Sequence, residues 1–87
     1  MKIKNGFVLE PVGGAYIAVA VGSEAAETNA IIRMNGTGAF LWGLLESEQT
    51  RETLLAAMRA EYDVSEEIAL RDIDAFVNKL ASAGILA

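Results

Sequence analysis

The chain contains neither cysteine nor histidine. Without cysteine there is no disulfide and no thiolate nucleophile. Without histidine the commonest general base and the commonest metal ligand are both gone. Serine and threonine hydroxyls such as Thr28, Ser65 and Ser82 therefore have no imidazole to activate them, which excludes a hydrolase triad. Long apolar runs are also lacking. The longest, Ala15 to Val21, is far short of the roughly 20 residues that span a bilayer. The Lys2/Lys4 start is not followed by the apolar segment of a signal peptide. A soluble cytoplasmic protein with no membrane partner is expected.

What remains is 87 residues, 53% hydrophobic and 22% charged. That composition suits one domain, residues 1–87, near the lower size limit for unaided folding, and argues against disorder. The net charge of −5 is unevenly placed. Residues 1–35 balance Lys2, Lys4 and Arg33 against Glu10, Glu24 and Glu27, so residues 36–87 hold the whole excess of acid. An acidic surface repels phosphates and disfavours nucleic acid as a partner.

Strand signals come first and helix signals follow, which predicts an α+β fold and not alternating βαβ units. Phe7 to Glu10 reads as a strand ended by Pro11, and Gly13-Gly14 as a tight turn. Tyr16 to Val21 is a second strand, in which the Ile17/Val19/Val21 face has the bulk to anchor a core. A polar loop over Gly22–Asn29 has room for one helical turn at Glu24–Glu27. Ala30 to Met34 is a third strand that runs directly into a helix. So small a sheet should keep an unpaired edge.

Asn35 or Thr37 caps the first helix, whose apolar face is Phe40, Leu41, Leu44 and Leu45 with Trp42 beside it. Thr50 caps a second helix to about Glu61, burying Leu54, Leu55, Met58 and Tyr62. Asp63 or Ser65 caps a third, from about residue 66 to Ser82, and Asp63 with Glu66 fits a capping box. Its core stripe is Ala69, Ile73, Phe76 and Leu80, with Leu70, Val77 and Ala81 alongside. Gly84 stops it, and Ile85-Leu86 fold back.

Little of this carries chemistry. Glu66/Glu67 and Asp72/Asp74 point to different helix faces and read as solvated surface. Asp63, Glu66 and Glu67 lack calcium-loop spacing. Gly36 and Gly38 have neither the third glycine nor the lysine of a phosphate loop. Neither an enzyme nor a metal- or cofactor-binding protein is expected. A winged-helix DNA-binding regulator is an alternative on fold grounds. It would have to press Asp63, Glu66, Glu67 and Asp72 against phosphates with only Arg71 in opposition.

The order and spacing of these elements resemble one family across nearly the whole chain. The shared features are a Phe-x-Leu strand, a third strand ending at Asn35, and Gly36-Thr37-Gly38-Ala39-x-x-Trp42-x-Leu44-Leu45. To these are added Thr50 before Leu54-Leu55, Glu61-Tyr62-Asp63, Asp72-Ile73-x-x-Phe76-Val77-x-x-Leu80, and a close on Gly84-Ile85-Leu86. The family is PqqD. The resemblance implies a three-stranded antiparallel sheet followed by three helices, winged helix-turn-helix-like. It also implies a precursor-peptide recognition element without activity of its own. Such a peptide chaperone captures the leader of a ribosomally made peptide as an added strand and presents the rest to a modifying enzyme, for example a radical-SAM protein. The Gly22–Asn29 loop is longer than in the quinone-cofactor members and resembles members tied to other modified peptides.

Strand addition needs unpaired backbone groups and a groove for alternate side chains. Ile31, Ile32, Arg33 and Met34 are expected along one wall. Leu70, Asp74, Val77 and Ala81 are expected along the other, with Ile73 as the alternative. Arg33 reads equally as a partner for a leader carboxylate and as a guard against edge aggregation. A different reading is a self-associating scaffold, a homodimer closed through the free strand edge.

Overall fold

The computed structural model describes residues 1–22 and 31–87. The expected helical turn at 24–27, most of the polar loop and Ala30 lie outside the described residues. Gly13 and Gly14 both take positive φ, 50° and 79°, as a two-residue hairpin turn with the right twist demands. They join β1 (Phe7–Val12) to β2 (Ala15–Ala20), and β3 (Ile31–Met34) pairs antiparallel with the far side of β2. The sheet order is β1-β2-β3. Three helices follow: α1 (Gly36–Leu45), α2 (Arg51–Glu61) and α3 (Glu66–Ser82). This is the α+β order predicted, with helix limits close to those read from the caps.

β1 continues through Pro11, where the sequence suggested a stop. The register explains why. Val21 N–H donates to Gly6 C=O at 2.7 Å, so in an antiparallel ladder the even-numbered residues of β1 turn their backbone groups to β2. Pro11 therefore has its nitrogen on the outer margin, where no ladder bond is lost and an exposed donor is removed.

The core face of β2 also differs from the expectation. Ala18 is fully buried, while Ile17 and Val19 are half-exposed and Val21 is 41% exposed. Pairing decides the face: Ala18 lies between Leu9 and Ile32, so these three side chains share one side of the sheet. Bulk on that side comes from the helices, through Leu41 and Trp42 of α1 and Phe76 of α3, all buried. A small residue in the middle strand leaves room for them.

The caps are local hydrogen bonds. Asn35 Oδ1 accepts from Gly38 N–H at 2.9 Å. Thr50 and Thr53 bond reciprocally, at 3.1 Å and 2.8 Å, in a capping box. Ser65, and not Asp63, caps α3 by accepting from Ile68 N–H at 3.2 Å. Gly84 takes φ 73° and ends the chain's last helical turn, after which Ile85 is buried. Leu86 forms an antiparallel bridge to Ile3, and Lys4 N–H donates to Ile85 C=O at 2.8 Å. The two termini thus close the core from below. Among the described residues no helix is long and apolar enough to cross a membrane.

Candidate functional site

The register of β3 fixes what its margin offers. If the even residues of β1 bond to the odd residues of β2, the even residues of β2 must bond to β3. Tyr16 faces Met34 and Ala18 faces Ile32, so Ile32 and Met34 spend their backbone groups on β2. Their side chains are buried as well. The outward groups are those of Ile31 and Arg33, and among the described residues no strand pairs with them. Of the four residues expected along this wall, two therefore present backbone to an incoming chain and two support the wall from within. Ile31 is 69% exposed, and Arg33 is exposed on the outer sheet face.

The flank of α3 that meets this margin is not the one expected. Leu70, Asp74, Val77 and Ala81 fall on one line along the helix, and Asp72, Ala75 and Lys79 lie about half a turn around the axis. It is the second line that reaches β3. Lys79 Nζ donates to the carbonyl of Arg33 at 2.7 Å, so Arg33 is not the only cation at this edge. Leu70 instead borders a cavity of about 170 Å³ with Arg51, Glu52 and Leu55 of α2. Asp74 is held by Arg51, whose Nε and second guanidinium nitrogen donate to its two carboxylate oxygens at 2.9 Å and 2.8 Å. Val77 packs half-buried on the core and Ala81 is exposed. Ile73, the alternative, is wholly buried. The cause is the short link Tyr62–Ser65, which makes α2 and α3 close neighbours and gives α2 the more apolar flank.

The Arg51 guanidinium, through its hydrogen bonds, holds the Asp74 carboxyl below the ordinary carboxylate range. A carboxyl depressed in the folded state contributes stability at neutral pH. That contribution is lost only as pH falls below the unfolded value of about 3.9. Carbon-detected titration should show Asp74 ionising below the ordinary range, and Arg51→Met should bring it back. An unmoved Asp74 in that variant would mean the pair does not form in solution. Both side chains are half-exposed, so the pair orients α2 against α3 more than it stabilises either.

A larger cavity, about 220 Å³, opens where β3 runs into α1. Its lining includes Leu41 and Phe76 as an apolar floor and Asn35, Asp72 and Lys79 around the rim. Gly38 belongs to the same lining, and a Cβ there would stand 2.8 Å from Met34 Cβ and 3.2 Å from the Phe76 ring. No side chain but hydrogen lets α1 approach β3 so closely. Sequence reasoning missed this group. Its signal was the Asp72, Ala75, Phe76, Lys79 spacing of three, one and three, which places a small residue and two opposite charges beside one aromatic.

Among the described residues no polar or charged residue is buried, and no group of three metal-ligating side chains converges. The site offers backbone donors and acceptors beside an apolar hollow.

Comparison with known proteins agrees with the architecture. A family model described as coenzyme PQQ synthesis protein D (PqqD) matches residues 25–86. A solved structure described as TbiB1 in complex with the TbiA(beta) leader peptide superposes with a TM-score of 0.75. It is 24% identical and covers 99% of this chain and 94% of the other, a likeness of fold. No curated protein matches the chain.

Proposed function

The chain belongs to the PqqD family, and from that premise we propose that it is a non-catalytic adaptor that captures the leader of a ribosomally made precursor peptide by strand addition. The observation that carries the reading is the margin of β3, with which no strand among the described residues pairs, beside the α1–α3 cavity. A peptide laid along Ile31 and Arg33 gains backbone hydrogen bonds of the kind an edge strand offers. One of its side chains drops onto Leu41 and Phe76. The TbiB1 fold it resembles is described in complex with a leader peptide, which supports the same use. The single domain then presents the rest of the precursor, in the cytoplasm where it is made, to a modifying enzyme. A radical-SAM protein is the first partner to test.

DNA is the poorer ligand, because α3 opens with Glu66 and Glu67 in its first turn. Phosphates brought there meet like charge. Titration of the labelled protein with the leader encoded beside it should shift the amides of Ile31 and Arg33 and of residues 72–79. No shift at micromolar peptide, or shifts confined to β1 and α2, would overturn the reading. Repeating the titration at several protein concentrations separates peptide capture from closure of the edge by a second copy.

A further inference from the structure

The contact between Lys79 and Arg33 occupies the very margin that strand addition needs. The outward carbonyl of Arg33 already accepts from Lys79 Nζ at 2.7 Å. A peptide strand that pairs fully along β3 must offer its own N–H to that oxygen, in competition with the ammonium for its lone pairs. An ammonium has three donors and no acceptor, and it strongly favours an anionic partner when displaced.

Two cations mark this edge, Lys79 and the exposed Arg33. Arg33 has no acidic partner among the described residues. The nearby acid is Asp72 on the cavity rim, which already stands 4.0 Å from Arg71 Nε. The chain as a whole carries −5 and repels acidic peptides, so a preference for acid at one position has to arise from these local cations.

On the adaptor reading above, we infer that Lys79 is a guard and a selector. Unbound, it caps the Arg33 carbonyl and blunts the open edge. On capture it gives up that oxygen and pairs with a carboxylate of the peptide beside Arg33. The ligand is thus an extended peptide carrying Asp or Glu next to the apolar side chain that fills the cavity. A lysine that guards an edge is an ordinary protection against unwanted pairing. Here its release is coupled to recognition.

Two opposed effects test this. Random peptides displayed on phage are selected against the full chain, and a selected peptide is made in Glu and Gln forms at its acidic position. The unsubstituted protein should bind the Glu form about fivefold more tightly. Lys79→Met, which keeps the stem and removes donor and charge, should lower that preference to what Arg33 alone supplies. It should also bind the Gln form at least as well as the unsubstituted protein does, because the carbonyl is no longer capped. A purely structural lysine would move both affinities the same way. Selected peptides with no acid preference, or a preference undiminished by Lys79→Met, overturn the role of Lys79 alone. Failure to select any peptide with either protein overturns the adaptor reading together with it.

Discussion

Arg33→Pro is expected to weaken leader binding by about tenfold or more while the domain stays folded. Proline removes the N–H that Arg33 turns outward and puts a ring where the incoming strand must lie. A peptide carbonyl is then left without its donor, at a cost of about 1–3 kcal/mol. The fold tolerates the change because β2 does not use that N–H, and β1 already carries Pro11 on its own outer margin within the strand. Arg33→Ala serves as the control, since it removes the guanidinium and keeps the donor. It should retain most of the affinity. Calorimetric titration of the three proteins with one leader checks this, and equal affinity for Arg33→Pro would show that the peptide does not pair with β3.

Leu80→Ala is expected to cost about 2–5 kcal/mol. Leu80 is fully buried on the α3 stripe, and its carbonyl accepts from Ile85 N–H at 3.0 Å, where the chain returns to close the core. Removing its branch opens a void between α3 and the terminal segment. A domain of this length has about 4–13 kcal/mol in all, so the melting temperature should fall by about 10 °C or more. Circular dichroism on heating measures it. A melting curve unchanged from the parent would place Leu80 outside the core.

How far the residues alone led follows from which interactions are local. Caps are local, so Asn35, Thr50 and Ser65 could be located within a residue or two, although Asp63 competed with Ser65. The α3 core stripe was legible because its period is that of a helix: Ala69, Ile73, Phe76 and Leu80 are the buried set. Faces of the sheet were less legible. Ile17 and Val19 look more like core than Ala18 does, and only pairing with Leu9 and Ile32 shows that the small residue faces inward. The candidate site shows both cases. An open edge at β3 follows from the scarcity of strands, whereas the flank of α3 beside it depends on where α2 packs. Apolar character pointed to Leu70 and Val77, but α2 takes that side. The polar, less conspicuous Lys79 is the one turned toward the strand, with Asp72 on the rim of the cavity beside it.

The account rests on alternate residues of β3 turning their backbone groups away from β2, where no strand among the described residues takes them up, and amide hydrogen exchange of the free protein tests that most directly. Ile32 and Met34 should be protected by their bonds to β2, and Ile31 and Arg33 should exchange orders of magnitude faster. Saturating leader peptide should then slow Ile31 and Arg33 alone within the strand. Equal, strong protection of all four amides in the free protein would mean that the margin is already paired, and would contradict the central claim.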